Sequence, residues 1–499
     1  MAALAPAATV ALTVSHIGLS RPAYTEPLTG LLVIAGVLWA WRGLRERSIA
    51  LVTAGALAVG ATSLIRIDGA LFAAGALAGL VLALALTDAD ARWRSRAALS
   101  AIGVQVAAVA AGYVSVMVWS TEYVTRLGER TAQLALAYLV MAALLAGWAA
   151  LWRGPVGADR IVTAARDGLG RRGTIAAGAL VGAVLTLLAS RPLWTVSRRG
   201  TEAETDRFAN GVVEGFQAAQ GLPIDPTRDY AESTVTWLSY YLTWPLVALG
   251  IAGLALATTW ALRREPAWAV LLGAVMAPTL LYLVNPSIIP DQIWAIRRFE
   301  PATLPGFALA AAAAAWALAG AVRVDRWRER ARTAAALAMI ALPLSTWISL
   351  APGDEFPVSS AVNVTSREMI GAREQLDGLC AVVDGRPIVL VGTSSHFGSL
   401  RVTCDVPVVL ALSAPTPDEL VDMTAVFEGP VVVLTRESGS LTWRSQPPVV
   451  VDSQVTHSGY SLQRIPRTVI ERSYRWYAGT VADDGTLEPI AARATPASP

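Results

Sequence analysis

Gly69-Ala70-Leu71-Phe72-Ala73-Ala74-Gly75-Ala76-Leu77-Ala78-Gly79-Leu80-Val81-Leu82-Ala83-Leu84-Ala85-Leu86-Thr87 runs for nineteen residues without a charge. That is about the length that carries a helix across the hydrocarbon core of a bilayer. Working outward from it, ten more apolar blocks are read, eleven in all: 1–18, 27–42, 49–65, 69–87, 97–119, 132–152, 174–192, 236–262, 267–285, 302–322 and 333–351. Several hold Gly or Pro, which membrane helices tolerate. After Pro352 the blocks stop. The reading is a polytopic all-α membrane domain over 1–351, followed by a small α/β domain over 352–499. The composition agrees: 54% of the 499 residues are hydrophobic and only 16% are charged, against about 25% charged in an ordinary soluble protein. A cytosolic enzyme, a disulfide scaffold and a disordered chain are excluded.

The net charge of +2 is uninformative, but all 40 basic residues are Arg. Arg without Lys, with Ala-rich runs, points to a GC-rich genome and so to a bacterium. The positive charge is dispersed, so no nucleic-acid partner is expected. The first block lacks a basic n-region and a cleavage site and does not read as a signal peptide.

Loop arginines set the orientation. The loops after blocks two, four, six, eight and ten carry eighteen Arg, against eleven in the alternate loops. The first set is expected on the cytoplasmic side, which makes the chain a multi-pass plasma (inner) membrane protein of the cell envelope with an extracytoplasmic tail. Cys380 and Cys404, the only cysteines, both lie in that tail. An oxidising compartment allows a disulfide between them; two buried thiols are the alternative. They form no metal-ligand motif, so no metal site is expected there.

The outer loops hold the polar residues from which a site could be built. The first carries Ser20-Arg21-Pro22-Ala23-Tyr24-Thr25-Glu26-Pro27, and the second Ile65-Arg66-Ile67-Asp68-Gly69. Charges at membrane depth are functional candidates by default, although Arg also snorkels to head groups. In the long fourth loop, Phe208, Val212 and Phe216 give one apolar face and predict an interfacial helix. Asp225, Arg228, Tyr230 and Glu232 follow it as sugar or acceptor candidates. The fifth loop ends in Trp294-Ala295-Ile296-Arg297-Arg298-Phe299-Glu300-Pro301. Two adjacent Arg there run against the positive-inside trend. Guanidinium binds phosphate bidentately and stays charged at low dielectric, so Arg297 and Arg298, with Arg21 and Arg66, are the candidates for a lipid phosphate.

These pieces, from Ser20 to Leu28, Leu64 to Asp68 and Trp294 to Pro305, resemble the GT-C glycosyltransferases, in particular bacterial relatives of protein O-mannosyltransferases and lipid A aminoarabinose transferases. The resemblance covers roughly residues 1–350. It implies a polyprenyl-phosphate sugar as donor, a glycan or protein acceptor at the outer face, Arg on the leaving phosphate, a carboxylate as base, and a possible divalent metal. Family members carry an acidic residue in a large first outer loop, and this chain has no such loop. About two further spans are therefore expected upstream. The catalytic base is left unassigned, with Glu26 and Asp68 as supporting candidates. The competing readings are a non-catalytic remnant or scaffold of that family and a lipid-linked-sugar transporter or flippase, although no internal repeat or midplane charge favours transport.

In the tail, 387–392, 406–410 and 430–434 read as strands. Thr416-Pro417-Asp418-Glu419 starts a helix, and Tyr460 to Tyr477 suggests a hairpin. Ser394-Ser395-His396 lacks a nucleophile-elbow context and reads as a loop cap. Asn363-Val364-Thr365 matches a glycosylation sequon by chance.

Overall fold

The computed structural model describes residues 4–20, 24–153, 159–347, 369–393, 396–427, 429–459, 461–466 and 469–491. Arg21, Ser394, Ser395 and the Asn363 sequon lie outside them. The chain divides into two compact units, Met1–Val364 with Tyr460–Pro466, and Thr365–Gly459 with Arg467–Pro499.

The first unit is helical. Its elements are α1 (Leu4–Ala11), α2 (Val14–Ser20), α3 (Thr25–Glu46), α4 (Ile49–Gly60), α5 (Gly69–Leu86), α6 (Ala91–Trp119) and α7 (Thr121–Leu151). They continue with α8 (Asp159–Ser190), α9 (Glu204–Ala219), α10 (Thr234–Leu242), α11 (Trp244–Arg263), α12 (Trp268–Val284), α13 (Thr303–Gly320) and α14 (Asp325–Ser345). Among the described residues seven helices are long and apolar enough to cross a membrane: α3, α5, α6, the Gly128–Leu151 part of α7, the Ala164–Leu193 region, α11 and α13. This is the make-up of a multi-pass membrane protein. Two shorter apolar helices lie at Ile49–Leu64 and Trp268–Val284.

The remaining two apolar blocks fall on interrupted or charged elements. Block 1–18 is broken between α1 and α2, where Thr13 turns its hydroxyl onto the Val10 carbonyl. Residues 333–345 of block 333–351 belong to α14, whose first turns carry Asp325, Arg326, Arg328, Glu329 and Arg330. Block 236–262 is also split, with Thr243 at φ 68° between α10 and α11. Pro245 explains the restart, because it has no N–H to give and favours the first turn of a new helix.

Close backbone approach packs the bundle. A Cβ added to Gly75 of α5 would sit 2.2 Å from the Gly273 carbonyl oxygen of α12, and one on Gly253 of α11 would sit 1.9 Å from that of Ala310 on α13. Most of α5 is buried. By contrast, α6, α7 and α8 expose Met117, Leu136, Leu144, Leu180 and Leu187. In lipid such an apolar outer face meets a matching solvent, whereas in water it would be a liability.

A helix forms over the expected stretch as α9, but its buried face is shifted by one residue for the first two positions. Ala209, Val213 and Phe216 are buried, while Phe208 is 64% exposed. The stripe also takes in two polar side chains, Asn210 and Gln217, which an apolar count passes over.

The second unit is an α/β sheet of order β2-β1-β3-β5-β4, with β6 on β5. Its strands are β1 (Ile388–Val391), β2 (Val408–Ala411), β3 (Val432–Thr435), β4 (Val451–Ser458), β5 (Val469–Val481) and β6 (Leu487–Pro489). β1 runs parallel to β2 and β3, in a register that pairs Val389 with Val409 and Val433. Both faces of β1 and β3 are covered: Ile388, Leu390, Val432 and Leu434 pack on one side, and Val389, Val391 and Val433 on the other. That is why these strands read as unbroken apolar runs. The helices are α15 (Ala372–Val383), α16 (Phe397–Thr403) and α17 (Pro417–Ala425). A disulfide joins Cys380 on α15 to Cys404, just after α16. The hairpin pairs β4 with β5, so its first strand precedes the expected Tyr460–Tyr477 stretch. β4 reads Val-Asp-Ser-Gln-Val-Thr-His-Ser, too polar to stand out as a strand.

Candidate functional site

Four separated stretches of the first unit meet in one charge cluster. Tyr24 is extended, so α3 begins at Thr25 and carries Glu26 in its first turn. Glu26 is fully buried. Arg66 and Asp68 come from the short link before α5. Arg66 grips Asp68 with two parallel bonds, Nε to Oδ1 and Nη2 to Oδ2, each 2.8 Å. Its Nη1 donates to Glu26 Oε1 and, at 3.2 Å, to the Thr25 hydroxyl. Arg297 and Arg298 end the 3-10 turn Ala295–Arg298. Arg297 Nε donates to the same Glu26 oxygen at 2.7 Å, and its guanidinium lies 4.1 Å from the Trp294 ring centre and 5.2 Å from that of Tyr24. Arg298 Nη1 lies 3.6 Å from Asp68 Oδ2. Tyr282 of α12 donates to that oxygen at 2.5 Å.

Three guanidinium groups face two carboxylates, so the cluster carries one surplus positive charge. The deepest group is the Glu26 carboxylate and the open edge is cationic: side-chain exposure is 0% for Glu26, 7% for Arg66 and 17% for Asp68, but 19% for Arg297 and 30% for Arg298. Arg298 Nε is buried and has no hydrogen-bond partner. Burial works to raise the Asp68 carboxyl, but Arg66, Tyr282 and Arg298 together hold it below the usual carboxylate range. Both carboxylates are engaged by cations, an arrangement that does not suit a metal ion. Among the described residues no three His, Cys, Asp or Glu side chains converge to hold one.

A second polar group lies in the segment after α8. An isolated bridge pairs Arg198 with Arg228. Arg228 Nη2 donates to Glu232 Oε1, while Glu232 Oε2 accepts from the Ser197 N–H at 3.1 Å. The Arg228 guanidinium stacks 4.6 Å from the Tyr230 ring centre. These three residues line one cavity. Asp225 does not line it. Asp225 accepts from the Thr227 hydroxyl and from Arg198, both at 2.9 Å, and these bonds hold its carboxyl below the ordinary range.

The sequence reading gave no role to a third group. Glu300, buried two residues beyond Arg298, accepts from the Ser15 hydroxyl at 3.1 Å and binds His16 Nδ1 at 2.7 Å. A buried carboxylate on one ring nitrogen fixes the imidazole and leaves Nε2 for proton transfer. One signal was available, an acidic residue just before α13, but its partners stand 284 and 285 positions away.

No family model matches the chain, nor does any curated protein or solved structure.

Proposed function

We propose that this chain is a membrane glycosyltransferase of the GT-C type, which moves a sugar from a polyprenyl-phosphate carrier to a glycan or protein acceptor at the outer membrane face. The observation that carries the reading is the convergence of Arg66, Arg297 and Arg298 on the buried Glu26 and the partly buried Asp68, with surplus positive charge at the open edge. Glu26 and Asp68 hold the guanidinium groups in place, and the exposed faces of Arg297 and Arg298 take the phosphate. In the transfer, the bond from the sugar's anomeric carbon to phosphate oxygen breaks and a bond to the acceptor hydroxyl oxygen forms. The arginines meet the charge left on the phosphate. The hydroxyl proton needs a base, and Glu26 and Asp68 are already committed to Arg. His16, held by Glu300, is the titratable group that supports this role, since α2 packs on the turn bearing Arg297. In this reading the eleven apolar blocks are spans of a plasma-membrane protein and the second unit is extracytoplasmic, as the arginine distribution argues.

A non-catalytic remnant is the second reading, favoured by the engagement of both cluster carboxylates. One experiment separates the two. The full chain in nanodiscs is given polyprenyl phosphate and, separately, a labelled polyprenyl-phosphate sugar. Lipid binding is expected to fall about tenfold or more with Arg297→Ala plus Arg298→Ala; undiminished binding sinks the phosphate site. Binding without any transfer of label selects the remnant.

A further inference from the structure

We infer that the cavity of about 370 Å³ beside Arg228 and Glu232 binds a neutral, hydroxyl-rich ring, which makes it the glycan-recognition site of this chain. The ligand class follows from the cavity alone. Calling that ligand the acceptor rests on the transferase reading above.

The volume is at the lower end of the range for small-ligand pockets, about 300–1,000 Å³, and suits a pyranose ring. Charge decides the rest. The Arg297 cluster has a cation to spare. Here Arg228 and Glu232 cancel each other at the wall, so an anion gains little and meets a carboxylate. A neutral polyol gains from both. The two Glu232 oxygens each make one bond, and each keeps a lone pair for a hydroxyl. Ser233 and Gln463 bring a hydroxyl and an amide to the lining, and Tyr230 and Tyr240 are its aromatic residues, the kind of side chain against which the C–H side of a sugar packs.

The cavity is held in shape before any ligand arrives. Tyr230 sits in the left-handed region at φ 56°, a conformation strained for a non-glycine residue that persists only where its surroundings enforce it. Those surroundings are the Gln217 amide on its hydroxyl at 3.1 Å and Arg228 over its ring. One wall comes from residues distant in sequence. Between β4 and β5 the chain enters the first unit, where Leu462 and Ile465 are buried in the helical core. The Ser461 carbonyl accepts from Gln292 N–H at 2.8 Å, and Leu462 N–H donates to Gln220 at 3.3 Å. This fixes Gln463 at the rim.

The test uses the full chain in a sugar-free amphiphile and saturation-transfer NMR with methyl glycosides of neutral hexoses and pentoses, with inorganic phosphate as the anionic probe. Neutral glycosides are expected to bind. The binding is expected to weaken about tenfold in Tyr240→Ala and in Gln463→Ala, and to persist in Arg297→Ala plus Arg298→Ala. Gln463 is exposed, so its variant is expected to fold. Absence of glycoside binding, or binding unchanged in the Tyr240→Ala and Gln463→Ala variants, overturns the inference. If glycosides bind as expected but no label leaves a polyprenyl-phosphate sugar, the transferase reading fails and the site stands.

Discussion

The helical unit and the α/β unit close their polar contacts over different distances. In the helical unit the cluster joins Arg66 to Glu26 across 40 positions, Tyr282 to Asp68 across 214 and Arg297 to Glu26 across 271. In the α/β unit the polar contacts do not reach so far: they extend to 78 positions between Gln375 and Ser453 and 86 between Ile370 and Thr456, and several are local. Thr416 and Glu419 cap one helix turn, His396 reaches Gln375 across 21 positions, and the disulfide closes 24. The packing differs in the same way. One unit relies on glycines that let helix backbones touch, the other on β-branched strands joined by ladder pairing, Ile388 with Val432 and Val432 with Thr480. A network closed only by the whole fold should fail as a whole. Local closures should fail one at a time.

The hardest test of that contrast is Glu26→Gln. One Glu26 oxygen accepts from both Arg66 and Arg297. Removing its charge leaves three guanidinium groups with one carboxylate, Asp68, and takes from Arg297 its carboxylate partner. Breaking a buried ion pair from one side costs about 3–5 kcal/mol. The expected result is a large fall in the thermal midpoint of the solubilised protein. The double variant Glu26→Gln plus Arg297→Gln should recover part of it, because the surplus cation goes too. An unchanged midpoint would break the contrast.

The same contrast explains what could be read from the sequence. Three strands and the Thr416 helix start were legible because their signals lie within a few residues: apolar runs at 387–392, 406–410 and 430–434, and a Thr-Pro-x-Glu cap. The helical bundle was legible as blocks of apolar residues. The breaks were less so, because Pro245 and Thr13 sit inside stretches whose composition alone suggests one span. Glu26, Arg66, Asp68, Arg297 and Arg298 could each be picked out as a charge in the wrong solvent. That they share one cluster could not be read from spacing. Glu300 was passed over because its worth depends on His16 and Ser15 at the other end of the unit. β4 carries almost no apolar signal because its residues are nearly all polar, and the buried face of α9 is hard to read because Asn210 and Gln217 on it are not apolar.

A smaller effect sharpens the contrast within the α/β unit. His396 is buried against Trp476 and Tyr474, with ring centres 5.2 and 6.0 Å away, and its Nε2 meets Gln375 Oε1 at 2.5 Å. Burial, then Arg436, then His457 push its pKa down to about 4 from 6.5. The folded value lies below the unfolded one, so the unfolded chain takes up the proton first. Stability is therefore full above about pH 6.5 and declines as pH falls toward 4, by about 1–2 kcal/mol at pH 5. Hydrogen exchange in β1 and β5 of the full chain, corrected for intrinsic rates, should quicken accordingly between pH 7 and 5. His396→Asn should flatten the pH dependence. A slope that survives the substitution would assign it to another group.

The smallest effect belongs to the most local closure. Thr416 Oγ1 accepts from the Glu419 N–H at 3.3 Å, and the Glu419 carboxylate accepts from the Thr416 N–H at 2.8 Å. The helix that follows buries only Leu420, so little else holds its first turn. Thr416→Ala removes one half of a reciprocal cap and should cost about 1 kcal/mol. Thr416→Ser keeps the oxygen and should cost less. Hydrogen exchange is expected to quicken in α17 and to stay unchanged in β1 and β3, whose cover comes from both faces of the sheet. If the loss spread to those strands, the cap would be coupled to the whole unit, and the α/β unit would belong with the helical one, where no contact fails alone.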